Sequence, residues 1–191
     1  MNDLAFFFKE GWQHIISFNA LDHQLFIVAL AAIYILKDWK KVLVLVTAFT
    51  VGHSLTLALS IYDVIRADEK WVEFLIPITI IITAIFNYFA KDFNKESLQL
   101  NYFFALFFGF IHGLGFANSI RFMLARNQKI GSGLLGFNLG LEAGQILCVA
   151  IILLSAYLVI NIAGLKRTLW IYTLSTITIL WAVKFAVERI P

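Results

Sequence analysis

A chain of 191 residues that is 61% hydrophobic and only 14% charged, with 19 Phe, 5 Trp and a mean hydropathy of +0.84, lies far outside the composition of soluble domains. A water-soluble fold cannot hide that much apolar surface, and the charges fall in short clusters between apolar runs of roughly 20 residues, the length a helix needs to cross a bilayer core. The net charge of +3 comes without the basic, aromatic-interleaved stripe of a nucleic-acid binder, so no nucleic acid is expected as a partner.

In chain order, Met1 to Phe8 has no basic n-region and no small-residue cleavage site behind it, and is not read as a removable signal peptide. Leu4 to Phe18 has helical apolar spacing but carries Lys9 and Glu10 and is too short to cross, which predicts an interfacial helix or one folded back into the bundle mouth. Asn19-Ala20-Leu21-Asp22-His23 then breaks the apolar pattern where the first span begins, and such interruptions in membranes line cavities. Spans are predicted near 21–36, 42–62, 71–90, 100–124, 133–160 and 168–187, joined by short charged connectors. The expected fold is an all-α, polytopic transmembrane bundle of about six spans, a single domain over 1–191. Cys148, the lone cysteine, excludes an internal disulfide and reads as a small core hydrophobe.

With the face carrying the N-terminus called side A and the other side B, Lys and Arg divide eight to seven, so the positive-inside rule does not orient the bundle. Acidic residues gather on side A, among them Asp3, Glu10, Asp22, Asp63, Asp68, Glu69, Glu73 and Glu188, which leans side A outward.

A polar group in hydrocarbon costs several kcal/mol unless it faces a bundle interior and finds partners, so each one in a span is a functional hypothesis. His14 and the pair Asp22-His23 sit at the side A end of the first span, His53 about halfway along the second, and His112 about halfway along the fourth. All four histidines of the chain belong to this set. On the fifth span Asn138, Glu142 and Gln145 are spaced i, i+4, i+7 and share one helical face. Neutral imidazole binds zinc, nickel, copper and iron, while Asp and Glu add oxygen ligands and offset the charge. With no second cysteine and no Met cluster, a copper(I) site is disfavoured, and nickel, cobalt, zinc and iron stay open. The expected metal ligands are His14, Asp22, His23, His53, His112 and Glu142, oriented from behind by Ser54, Asn138 and Gln145.

Gly136, Gly140 and Gly144 repeat at four-residue spacing, and Gly109, Gly113 and Gly115 flank His112, which lets backbones approach around these positions. Thr79, Thr83, Asn87, Thr173 and Thr176 read as ordinary interhelical hydrogen-bonders. The side B half of the same helices is nearly all apolar, at Ile27 to Leu36, Val42 to Val46, Tyr102 to Phe108 and Ile146 to Leu154. That pattern disfavours a permanently open pore and predicts a cup open to side A over a dry floor.

Five ordered segments carry a family resemblance: Gly11-Trp12-Gln13-His14-Ile15, Asp22-His23-Gln24-Leu25-Phe26, Thr50-Val51-Gly52-His53-Ser54-Leu55-Thr56-Leu57, Gly109-Phe110-Ile111-His112-Gly113-Leu114-Gly115-Phe116-Ala117 and Phe137-Asn138-Leu139-Gly140-Leu141-Glu142-Ala143-Gly144-Gln145. Together they resemble the successive motifs of the HupE/UreJ family. The resemblance implies a multi-pass protein of the bacterial cytoplasmic membrane, and members near hydrogenase and urease operons are regarded as nickel permeases.

Three functions remain open on the sequence. The leading one is a nickel/cobalt-type permease that captures a divalent cation from side A and releases it to side B. The alternative is an intramembrane zinc-type enzyme in which Glu142 helps a metal-bound water attack a substrate. A third is a metal-dependent sensor or structural site. The expected partners are the lipid bilayer and a metal ion, with a second copy of the chain as a candidate.

Overall fold

The computed structural model describes residues 3–89, 95–116 and 130–191, and every regular element within them is a helix. These are α1 (Asp3–Ile16), α2 (Leu21–Ala31), α3 (Trp39–Ile61), α4 (Glu69–Phe89), α5 (Lys95–Gly115), α6 (Ile130–Tyr157) and α7 (Arg167–Glu188). Short 3₁₀ turns, Phe18–Ala20 and Leu36–Asp38, precede α2 and α3. A π turn, Leu158–Ile162, closes α6 before Gly164 at φ 72° turns the chain.

The helices are apolar inside and outside. Phe26, Phe49, Phe137, Leu57 and Ile80 are buried, while Leu139, Ile151, Leu154, Leu169, Ile177 and Leu180 point outward. Only a hydrocarbon solvent makes such outward faces neutral, so this is a multi-pass membrane protein. Four stretches, Leu36–Ile61, Glu69–Phe89, Ile130–Ile162 and Arg167–Glu188, are long and apolar enough to cross. A fifth crossing exists if α1 and α2, bent by 68°, count as one broken span. The expected six is therefore approximate. Its fourth span corresponds to α5, whose apolar described run is Asn101–Gly115, and the end of that span together with the connector behind it lies outside the described residues.

The N-terminal helix packs into the bundle, along α6. Contacts between α1 and α6 climb both helices together: a Cβ at Gly136 would strike the Leu4 carbonyl, at Gly140 the Phe8 carbonyl, and at Gly11 the Phe137 carbonyl. The two helices are thus parallel, with backbone against backbone, which only glycine permits. A second parallel seam joins α3 to α5, where Gly52 meets the Leu106 carbonyl, Gly109 the Phe49 carbonyl and Gly113 the His53 carbonyl.

The remaining helices close the bundle. Asn87 of α4 donates to the Ala29 carbonyl at 2.8 Å and to Ser175 Oγ at 3.1 Å, tying α4 to α2 and α7. Helix α2 runs antiparallel to α7, since Asp22 meets Arg189 at one end and the Ile33 carbonyl accepts from Arg167 at the other. Cys148 is a half-buried free thiol, as expected of a small apolar filler.

Gly140→Ala is expected to cost about 1–3 kcal/mol, because the added methyl overlaps backbone that has nowhere to move. Gly131→Ala, with open space around it, is the neutral control. Thermal unfolding of the two variants in detergent checks the contrast.

Candidate metal centre

Each histidine is set in place by its helix seam. Gly113 brings α5 onto the His53 carbonyl, so His112 and His53 share one depth, and Gly11 brings α1 onto α6 one turn before His14. The short turn between α1 and α2 then folds His23 back against His14, with ring centroids 4.6 Å apart. Three ring nitrogens, one each from His14, His23 and His53, lie within 4.8 Å of one another. Three equidistant nitrogens bound at about 2.1 Å to one ion are at most about 3.6 Å apart, so a contraction of about an ångström brings this trio to ligand distance.

His112 adjoins the trio, its ring centroid 5.0 Å from that of His23. Its Nε2 lies 3.1 Å from Thr79 Oγ1, and that hydroxyl is 2.7 Å from the Ile76 carbonyl. Thr79 has one proton, and the carbonyl is the closer acceptor. Nε2 of His112 therefore carries the hydrogen and Nδ1 presents its lone pair. The same logic holds at His23, where Nδ1 faces Asp22 Oδ1 at 3.1 Å and leaves Nε2 as the lone pair.

The consequence is an unusual set of orphans. His14 Nε2, His23 Nε2, both nitrogens of His53 and His112 Nδ1 are all buried without a partner among the described residues. Buried polar atoms are almost always paired, and ring nitrogens of His14, His23 and His53 gathered together, with the His112 ring beside that of His23, fit a cation that borderline nitrogen ligands prefer.

That space opens to side A. A cavity of about 290 Å³ is lined by His14, Asp22, His23 and His112 together with Glu73, Ser17, Gly115, Phe116 and Arg189. A wider recess of about 810 Å³ flanks α1 and shares His14, Ser17 and Phe116 with it. Beneath the imidazoles the walls are aromatic: Phe26 packs 4.8 Å from Phe49 and 6.1 Å from Phe108, with both Phe26 and Phe49 against His112.

The other expected ligand stands elsewhere. Glu142 accepts from Thr47 Oγ1 at 2.7 Å and is not one of the three clustered donors. The i, i+4, i+7 face that carries it is turned to the α3 seam, where Gln145 accepts from Thr50 at 2.7 Å. Ser54 spends its hydroxyl on the Thr50 carbonyl at 2.6 Å, and Asn138 Oδ1 is buried without a partner. None of these three is bonded to a histidine. Thr79, read from the sequence as ordinary, holds His112, and Glu73 and Arg189 line the cavity without having been singled out. A threonine in a span gives no signal of its partner, and an arginine after the last helix looks like a flanking charge.

Fold and site together define a multi-pass helical membrane protein with a cluster of buried histidines at a cavity. A profile of the family described as HupE / UreJ protein matches residues 1–189, so the chain belongs to that family. Neither the curated proteins nor the solved structures contain a match to it.

His23→Ala and His53→Ala are expected to abolish retention of a first-row divalent metal by the purified protein, whereas Glu142→Gln keeps most of it. Metal analysis after gel filtration reads the difference, and wild-type retention in both histidine variants contradicts the site. Protons compete for the same lone pairs, so affinity should fall as the solution is acidified. Titration with Co²⁺ from neutral pH down to about pH 5 checks the sign.

Proposed function

We propose that this chain is a divalent transition-metal permease of the nickel/cobalt type, embedded as one domain in the bacterial cytoplasmic membrane. The observation that carries the reading is the convergence of His14, His23 and His53, from three helices, with ring nitrogens that no group among the described residues satisfies. Family membership supports the same reading, since nickel permeation is the activity associated with members near hydrogenase and urease operons.

The cation is the substrate. Asp22 and Glu73 at the rim attract it from side A, and the imidazoles replace part of its hydration shell. Borderline nitrogen donors without thiolate favour nickel, cobalt, zinc or iron over calcium and magnesium, which prefer oxygen. Release to side B requires the aromatic floor to part, because Phe26 packs on Phe49 and Phe108 beneath the imidazoles. A rearrangement of the α1–α2 turn relative to the α3/α5 seam is the motion this geometry offers.

The closed floor also favours one other reading, an intramembrane zinc-type enzyme with its site open to side A. In that case Asp22 is the carboxylate beside the imidazoles, and Glu142 is engaged with Thr47.

Vesicle flux decides between them. Wild-type protein reconstituted in liposomes should accumulate Ni²⁺ or Co²⁺ down a gradient. Ala105→Trp, at a fully buried position two turns below His112 on α5, should block flux and leave binding intact. Tight binding with no uptake under any gradient overturns the permease.

A further inference from the structure

The mouth of the cup holds a cation of the protein's own. Arg189, just past the end of α7, reaches back so that its Nη1 lies 3.3 Å from Asp22 Oδ2, while Asp22 Oδ1 is engaged by His23. The Asp22 side chain is 13% exposed and that of Arg189 28%, so the pair is shielded from water on most sides. The guanidinium is also stationed by Phe185, whose ring centroid is 5.3 Å from Cζ, and it lines the same cavity as His14, His23 and His112. A positive charge beside the carboxylate of a cation site opposes binding there. A merely structural ion pair has no reason to share that carboxylate with a ligand histidine.

We propose that Arg189 is a tethered counter-cation that latches the mouth of the cup, holding Asp22 until a divalent cation displaces it and so keeping monovalent ions out of the histidine cluster. The inference rests on the reading of that cluster as a cation site. Coulomb attraction to Asp22 scales with the charge of the ion, so a dication gains about twice what the guanidinium gives up. A sodium or potassium ion carries the same single charge as the arginine, and the arginine is held in place at high effective concentration. Monovalent ions therefore do not displace it, whereas a dication with imidazole ligands waiting behind Asp22 does. Once displaced, the guanidinium has Glu73, the other carboxylate of the cavity lining, as its acceptor. Rejection here is built in by an unfavourable charge that only the intended class of ligand overcomes.

The test uses the full chain in detergent with Co²⁺ alone as probe, its visible absorption reporting coordination. Arg189→Gln should bind Co²⁺ roughly tenfold more tightly than wild type, as expected for removal of a competing charge at close range. Its binding should also weaken as KCl replaces N-methylglucamine chloride at constant ionic strength, a sensitivity wild type lacks. Arg189→Lys keeps the charge and should track wild type. Unchanged or weaker Co²⁺ binding in Arg189→Gln, no response to KCl, or a Lys variant matching the Gln variant overturns the latch and leaves the cation site standing. Absence of Co²⁺ binding by wild type overturns both. Should Arg189→Gln fail to fold, the wild-type protein still answers: phenylglyoxal modification of Arg189, followed by peptide mass spectrometry, should quicken when Co²⁺ is bound, and an unchanged rate overturns the proposal.

Discussion

Helices in lipid have no hydrophobic force to drive them together, so close association has to come from surfaces that fit at van der Waals distance. In this bundle the fit is backbone on backbone along two parallel seams, α1 against α6 and α3 against α5, at positions where any side chain would overlap a carbonyl. The site is a by-product of those seams. Gly113 sets the depth of α5 against His53, and His112 is its neighbour in sequence. Gly11 sets the depth of α1 against α6, and His14 follows one turn later. A shift of either seam by one turn would move an imidazole by about 5.4 Å and separate the donors.

Within that frame the polar groups fall into two kinds. Asn87 ties α4 to α2 and α7, Thr176 meets the Tyr88 hydroxyl of α4 at 2.6 Å and Gln145 accepts from Thr50 of α3, all as interhelical ties, while Thr83 donates within α4 to the Thr79 carbonyl. Two of the imidazoles are half satisfied: Asp22 and Thr79 each take one nitrogen of a ring, and in doing so decide which nitrogen of His23 and His112 is left as a lone pair, whereas neither nitrogen of His53 has a partner among the described residues. Burying such lone pairs costs about 1–3 kcal/mol per group, so the bundle is less stable than one with apolar residues there. On the reading proposed above, a cation bound there would relieve that cost, which would add to its binding.

A second polar seam lies below the cup. Thr50 and Thr47 precede His53 by three and six residues, about 4.5 and 9 Å along the helix axis toward side B at the standard rise. They pair with Gln145 and Glu142 of α6. Glu142 is thus an ionisable group in a span, held by a hydroxyl and set apart from the imidazoles, where it ties α6 to α3 beneath the cluster.

The sequence by itself determined the class of the protein, because apolar runs of membrane length and the scarcity of charge admit only helices in lipid. The α3, α4, α6 and α7 boundaries sit within a few residues of the runs at 42–62, 71–90, 133–160 and 168–187 for the same reason. It also picked out the four histidines, since a polar residue in an apolar run stands out without any alignment. What it left undecided was every relation between helices. Glu142 shares a helical face with Asn138 and Gln145, and period alone cannot say whether that face looks at the imidazoles or at α3. Leu4 to Phe18 is amphipathic, and composition alone cannot say whether it lies on the bilayer or folds into the bundle. The first answer came from the Thr47–Glu142 and Thr50–Gln145 bonds between α3 and α6, the second from a glycine seam between residues more than a hundred positions apart, such as Gly140 against Phe8. Arg189 was the least legible of all. A basic residue after a terminal span is the commonest flank in a membrane protein, and only the antiparallel packing of α7 on α2 turned this one onto Asp22 at the mouth of the site.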